Sequence, residues 1–224
     1  MIFNTDFQDI GFISYKKAWT YQDKIHEQVL LSRNSDSHFF LIFCEHSHVF
    51  TLGKNGKSNN LLINNEFLNT INAEYVETNR GGDITYHGPG QIVGYPIVDL
   101  TKTNYGIKEY INKLEEAIIQ TLNAFNVKAE RLEGATGVWL DTNTPKARKI
   151  CAIGVRVSRW ITMHGFAFNI NTDLQYFNYI NPCGFTDKSV TSLEKELNNK
   201  VDINSVKIEL KYQLAKQLNL NYLT

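Results

Sequence analysis

The sequence is short of cysteine, with three in 224 residues (Cys44, Cys151 and Cys183) and no Cys-x-x-Cys pair. An odd set without paired spacing argues against a disulfide framework and fits a reducing cytoplasm. No run of about 18 apolar residues occurs, which excludes an ordinary membrane span. Met1-Ile-Phe-Asn-Thr-Asp6 lacks a basic start leading into an apolar stretch, so no secretory signal is expected. An excess of one charge is missing too: Lys+Arg and Asp+Glu are both 23, so net charge points to neither nucleic acid nor an acidic membrane as a general partner. Neither Gly-x-Gly-x-x-Gly nor the P-loop pattern is present, so dinucleotide and P-loop nucleotide sites lack their signatures. There is no internal repeat, low-complexity tract or Pro/Ser-rich linker.

With 42% hydrophobic and 21% charged residues, the chain can build a core, and its length suits one domain over 1–224. A strand is expected over Asp9–Ser14, then a helix over Tyr15–Ser32. Phe39–Phe43 reads as a buried strand, and Val49–Leu52 as a short partner strand closed by Gly53. A polar stretch follows, then strands around Ala73–Thr78 and Ile92–Leu100. Apolar residues from Ile107 to Phe125 recur at three- and four-residue steps, the clearest amphipathic helix. Strands follow near Val127–Leu132, Gly137–Leu140, Lys149–Ser158 and Trp160–Asn169, the last two as a hairpin. Short and long helices are expected over 192–198 and Ser205–Leu218. Strands outnumber helices and several join directly, so the expected class is α+β with a mixed or antiparallel sheet flanked by helices.

Arg80-Gly-Gly-Asp-Ile-Thr-Tyr-His-Gly-Pro-Gly-Gln91 packs four glycines and a proline around an Arg, a Thr and a His. Glycine allows close backbone approach, so the segment reads as backbone shaped around a ligand. Cys183, in Asn181-Pro-Cys-Gly184, sits between two turn-forming residues and is a candidate nucleophile. Cys44 and Cys151 lie within apolar runs, where a thiol usually behaves as a small buried hydrophobe. A thiol attacks as thiolate and needs a nearby cation or base. Lys149, opening the apolar strand Lys149–Gly154, is the candidate; Lys146 and Arg148 read as surface charge. His164-Gly-Phe-Ala167 could line a pocket. His46 and His48 share an i, i+2 spacing but lack further ligands, so zinc is not expected.

Together these segments resemble the octanoyl-carrier-protein:protein octanoyltransferases, the lipoyl(octanoyl) transferases of lipoate biosynthesis. The resemblance spans roughly Ile10 to Leu218. It rests on Glu45-His46 with Thr51-Leu-Gly53, Arg80 through Pro96, Gly134-Ala-Thr-Gly-Val-Trp139, Lys149 through Gly154, His164 through Asn169, and Asn181-Pro-Cys-Gly184. It implies a fold related to biotin and lipoate protein ligase catalytic domains, and ATP-independent acyl transfer without a cofactor or metal. Cys183 would carry the octanoyl group as a thioester, with Lys149 beside it. Substrate would be bordered by Arg80, Gly81, Gly82, Asp83, Ile84, Thr85, Tyr86 and His87, by Ala152, Ile153 and Gly154, and by Gly165, Phe166 and Ala167. The implied donor is octanoyl-acyl carrier protein. The implied acceptors are lipoyl domains of 2-oxoacid dehydrogenases and the glycine cleavage H protein. Lys146, Arg148, Arg156 and Arg159 are candidates for docking an acidic carrier, and a cytoplasmic location is expected. Three alternatives remain at this stage. They are an ATP-dependent lipoate or biotin ligase, a non-catalytic module binding acyl carriers or lipoyl domains, and a hydrolase using Cys183 with His164.

Overall fold

The computed structural model describes residues 1–35, 38–181 and 189–223. It is α+β, and the described residues form a nine-stranded mixed sheet and a second sheet of three strands. The large sheet runs β12 (Leu220–Tyr222), β1 (Phe3–Phe12), β2 (Phe39–Glu45), β6 (Gln91–Ile97), β10 (Ile161–Asn169), β9 (Arg148–Ser158), β8 (Ala135–Leu140) and β7 (Glu130–Leu132), with β11 (Ser189–Val190) also paired to β9. β1 is parallel to both β12 and β2, while the pairs from β2 to β7 are antiparallel. The small sheet is β4 (Glu74–Glu77), β3 (Val49–Leu52) and β5 (Ile84–His87).

β2 explains why its sequence is apolar without alternation. Phe39, Leu41 and Phe43 face a core beneath α3 (Ile107–Ala124) and α5 (Ile203–Leu218), whereas Phe40, Ile42 and Cys44 face α1 (Tyr15–Leu31). A strand covered on both faces has no solvent side to mark with polar residues. α3 buries Tyr110, Leu114, Ala117, Ile118 and Leu122 against Val206, Leu210, Leu214 and Leu218 of α5. Each leucine, isoleucine or valine among them contributes roughly 1.5–3 kcal/mol on full burial. α1 presents Ala18, Ile25 and Val29 to the other face. Asp202 starts α5 by accepting from the Asn204 and Ser205 N–H groups, and Asn219 ends it at φ 56°.

Several expectations need correction. β1 starts at Phe3, not Asp9. β3 does not pair with β2; it lies between β4 and β5 in the small sheet. The polar stretch before β4 contains α2 (Asn65–Thr70), capped by the Asn64 side chain on the Phe67 N–H. Val127 lies outside β7, in the turn that closes α3: Asn126 turns the chain at φ 61° and the Val127 N–H donates to the Leu122 carbonyl. The hairpin of β9 and β10 and the helix α4 (Leu193–Leu197) fall where expected. Among the described residues no helix is long and apolar enough to cross a membrane.

Candidate active site

A cavity of about 450 Å³ opens where the small sheet meets the α1-facing side of the large one. Strand alternation selects its floor. Gln91, Val93 and Tyr95 of β6, Gly165, Ala167 and Asn169 of β10, and Ala152 and Gly154 of β9 all line it. Their register matches, with Val93 opposite Ala167 and Ala167 opposite Ala152. Gly154 sits where a Cβ would come within 2.8 Å of the Gly81 carbonyl oxygen, so its lack of a side chain lets the Arg80–Gly82 loop approach β9.

Lys149 also faces the cavity, although simple alternation from Cys151 and Ile153 would send it into the core. A β-bulge makes the difference. Val138 pairs with Cys151 and Trp139 with Lys149, so Ile150 is an extra residue on β9. Ile150 and Cys151 both enter the core beneath α3, and the lysine is turned to the opposite side. Its Nζ lies 4.6 Å from the Trp139 ring centroid. Gly137 permits this packing: at φ 119°, a Cβ there would stand 2.5 Å from the Cys151 carbonyl oxygen.

The roof comes from the small sheet. Arg80 is buried, and its Nη2 donates to the Thr51 carbonyl oxygen at 2.5 Å and to Thr51 Oγ1 at 2.9 Å. Thr51 Oγ1 is 3.2 Å from His87 Nε2, and His87 Nδ1 is 2.9 Å from Gln91 Oε1. Gln91 Nε2 donates to the Tyr86 carbonyl and to Asn169 Oδ1, so its oxygen faces His87 and the proton sits on Nδ1. Thr51 accepts from Arg80 and donates to His87 Nε2. Asn169 continues the chain by donating to the Thr191 carbonyl, and the Thr191 N–H donates to the Lys149 carbonyl. Burial, then the charges of His46 and Arg80, hold His87 well below the usual histidine range.

Arg80, Gly82, Asp83, Ile84, Thr85 and His87 border the cavity, as do the expected residues of β9 and β10. Gly81 and Tyr86 do not line it. Gly81 donates its N–H to the Val155 carbonyl, tying the loop to β9. Tyr86 alternates away from His87 and packs with Phe50 and Tyr176, its hydroxyl 2.7 Å from His48 Nδ1. His164 borders the cavity; its Nε2 is 2.8 Å from Asn79 Oδ1, and burial, then Arg80 and Arg156, push it down to about 3. His46 and His48 separate, one bonded to Tyr95 and the other stacked on Tyr176. Cys44 and Cys151 are fully buried. Cys183 lies outside the described residues. Arg148, expected as surface charge, is engaged by Glu196 at 2.6 Å and by Asp141.

The sequence reading missed Tyr15, Val93, Tyr95, Trp139, Gln91 and Asn169 as cavity residues. A period of two along Gln91–Tyr95 would have found three of them.

The lipoyl protein ligase A/B catalytic domain matches residues 14–215. The chain is 50% identical over 213 residues to an octanoyltransferase of Bacteroides thetaiotaomicron, covering 94% of each chain. It is 54% identical over 210 residues to an octanoyltransferase of Parabacteroides distasonis, covering 92% of this chain and 94% of that one. The chain belongs to the octanoyltransferase family. That family is one of acyltransferases, and octanoyl transfer in lipoate biosynthesis is its activity. The fold is shared with a bi-partite lipoate protein ligase of Thermoplasma acidophilum, at TM-score 0.72 and 13% identity over 99% of this chain and 88% of that one. A lipoate-protein ligase A bound with ATP matches at TM-score 0.71 and 14% identity, over 100% and 90%. The biotin protein ligase of Aquifex aeolicus matches at 0.52 and 10%, over 97% and 70%.

Proposed function

We propose that this chain moves an octanoyl group from octanoyl-acyl carrier protein to a lysine of a lipoyl domain, through a thioester on Cys183. The observation that carries the reading is a lysine turned by a bulge into a largely apolar cavity, in a chain of the octanoyltransferase family. Phe177 before 182–188 and Val190 after it both line the cavity, and Val190 pairs with Lys149.

In the first step the Cys183 thiolate attacks the donor thioester carbonyl, and the phosphopantetheine thiolate leaves and takes up a proton. One thioester replaces another, so no nucleotide is required. In the second step the neutral amine of the acceptor lysine attacks, an amide forms, and the Cys183 sulfur is released. Lys149 serves both steps, favouring the thiolate as an ammonium and taking the acceptor's proton as an amine. The six methylenes of the chain contribute on the order of 5 kcal/mol on burial. The acceptors would be lipoyl domains of 2-oxoacid dehydrogenases and the glycine cleavage H protein, and the setting the cytoplasm.

The test is intact-mass analysis after mixing the protein with octanoyl carrier protein, followed by mapping of the adduct. The acyl mass is expected on Cys183, lost in Cys183→Ser and kept in Cys44→Ala and Cys151→Ala. An adduct mapping elsewhere, or full transfer by Cys183→Ser, would sink the assignment.

A further inference from the structure

Resting on the acyl-transfer reading above, we propose that Val93 and Tyr95 form the end stop that sets which acyl chain length fits. Beyond the polar pair Asn169 and Gln91, the cavity-facing positions of three neighbouring strands grade from small to large. β9 offers Ala152 and Gly154, β10 offers Gly165 and Ala167, and β6 closes the row with Val93 and Tyr95. Two strand spacings separate β9 from β6 by about 10 Å. An extended octanoyl chain has seven carbon–carbon bonds of about 1.5 Å, which in zigzag span about 9 Å. A chain whose carbonyl end lies over Ala152 on β9, three residues along the strand from Lys149, and whose tail crosses Ala167 of β10 therefore runs out of floor at Val93 on β6.

The far wall is held firmly. Tyr95 is 3% exposed, and its hydroxyl donates to His46 Nε2 at 2.6 Å. His46 Nδ1 lies 2.8 Å from the Ile13 carbonyl oxygen, which can only accept, so Nδ1 carries the proton and Nε2 is the acceptor that fixes Tyr95. Tyr15 stands beside this wall, stacked on His87 at 5.7 Å between ring centroids. Val93 faces Ala167 across the strand pair, so trimming one deepens the trough and enlarging the other shortens it.

The test offers hexanoyl, octanoyl, decanoyl and dodecanoyl carrier proteins in competition and reads the protein-bound acyl group by intact mass. Wild type is expected to favour octanoyl. Val93→Ala should raise the decanoyl-to-octanoyl ratio about fifteenfold, since each of the two added methylenes that gains a place is worth about fourfold. Ala167→Val should move the preference to hexanoyl by a similar factor. A shift in the stated direction by either variant supports the end stop. Unchanged profiles, or loss of octanoyl without gain at another length, overturn it while wild type still loads octanoyl. A wild-type protein that accepts no acyl group overturns both this proposal and the reading beneath it.

Discussion

His87 and His164 are buried near the Arg80 guanidinium, His46 is buried beside His87, and each is held below its ordinary range mainly by burial. His46 is lowered to about 4 and His164 to about 3. A histidine whose folded value lies below its unfolded value is neutral in the fold and protonated in the unfolded chain between the two. The unfolded state then binds more protons, so stability is lost as pH falls through 6.5 and continues to fall toward those folded values. At pH 5 each such histidine costs about 2 kcal/mol relative to pH 7. The urea midpoint of unfolding should therefore drop between pH 7 and pH 5, with a shallower drop in His164→Gln. Equal midpoints at the two pH values would contradict neutral buried rings. Residues announced by chemistry, such as Arg80, His87 and Lys149, were legible in the sequence. Tyr15, Val93 and Tyr95 were not, because an apolar or aromatic side chain reads alike whether it meets a core or a cavity.

At the scale of elements, the bulge at Ile150 chooses which face receives Lys149, and Gly137 makes room for it. Gly137→Ala combines an unfavourable φ with a collision against the Cys151 carbonyl, and should destabilise by about 2 kcal/mol. It should also slow acyl transfer more than it lowers affinity for the donor, since the lysine is displaced; steady-state kinetics with a urea titration separate the two effects. A variant as stable and as fast as wild type would remove the bulge from the account. α1, α3 and α5 were readable because a three- to four-residue period is local. The bulge was not, since an extra residue is visible only against the partner strand. β5 was hidden for a related reason: its four residues sit inside the glycine-rich stretch, and its partner β3 lies at least 32 residues earlier, with Leu52 opposite Ile84.

At the scale of the whole molecule, two sheets meet around the cavity, joined by the Gly81–Val155 hydrogen bond and the Arg80–Thr51–His87–Gln91 chain. An acyl group seated there would bury surface on both sheets at once. Octanoyl-loaded protein should therefore unfold at higher urea than unloaded protein, by up to about 5 kcal/mol from six methylenes. An acetyl-loaded protein should show little gain, and equal midpoints for the two would place the chain outside the cavity. The mixed sheet with flanking helices followed from the order of elements. The division into two sheets did not, because the apolar run of β3 does not reveal its partners.

The parallel pairing of β1 with β12 has a consequence for biosynthesis. Phe3 aligns with Leu220, and the Phe3 N–H donates to the Asn219 carbonyl. During translation at about 5–20 residues per second, the earliest strand waits on the order of 10–40 s for its outer neighbour to leave the ribosome. For that interval its hydrogen-bonding edge is bare, and the nascent polypeptide is open to pairing with other chains.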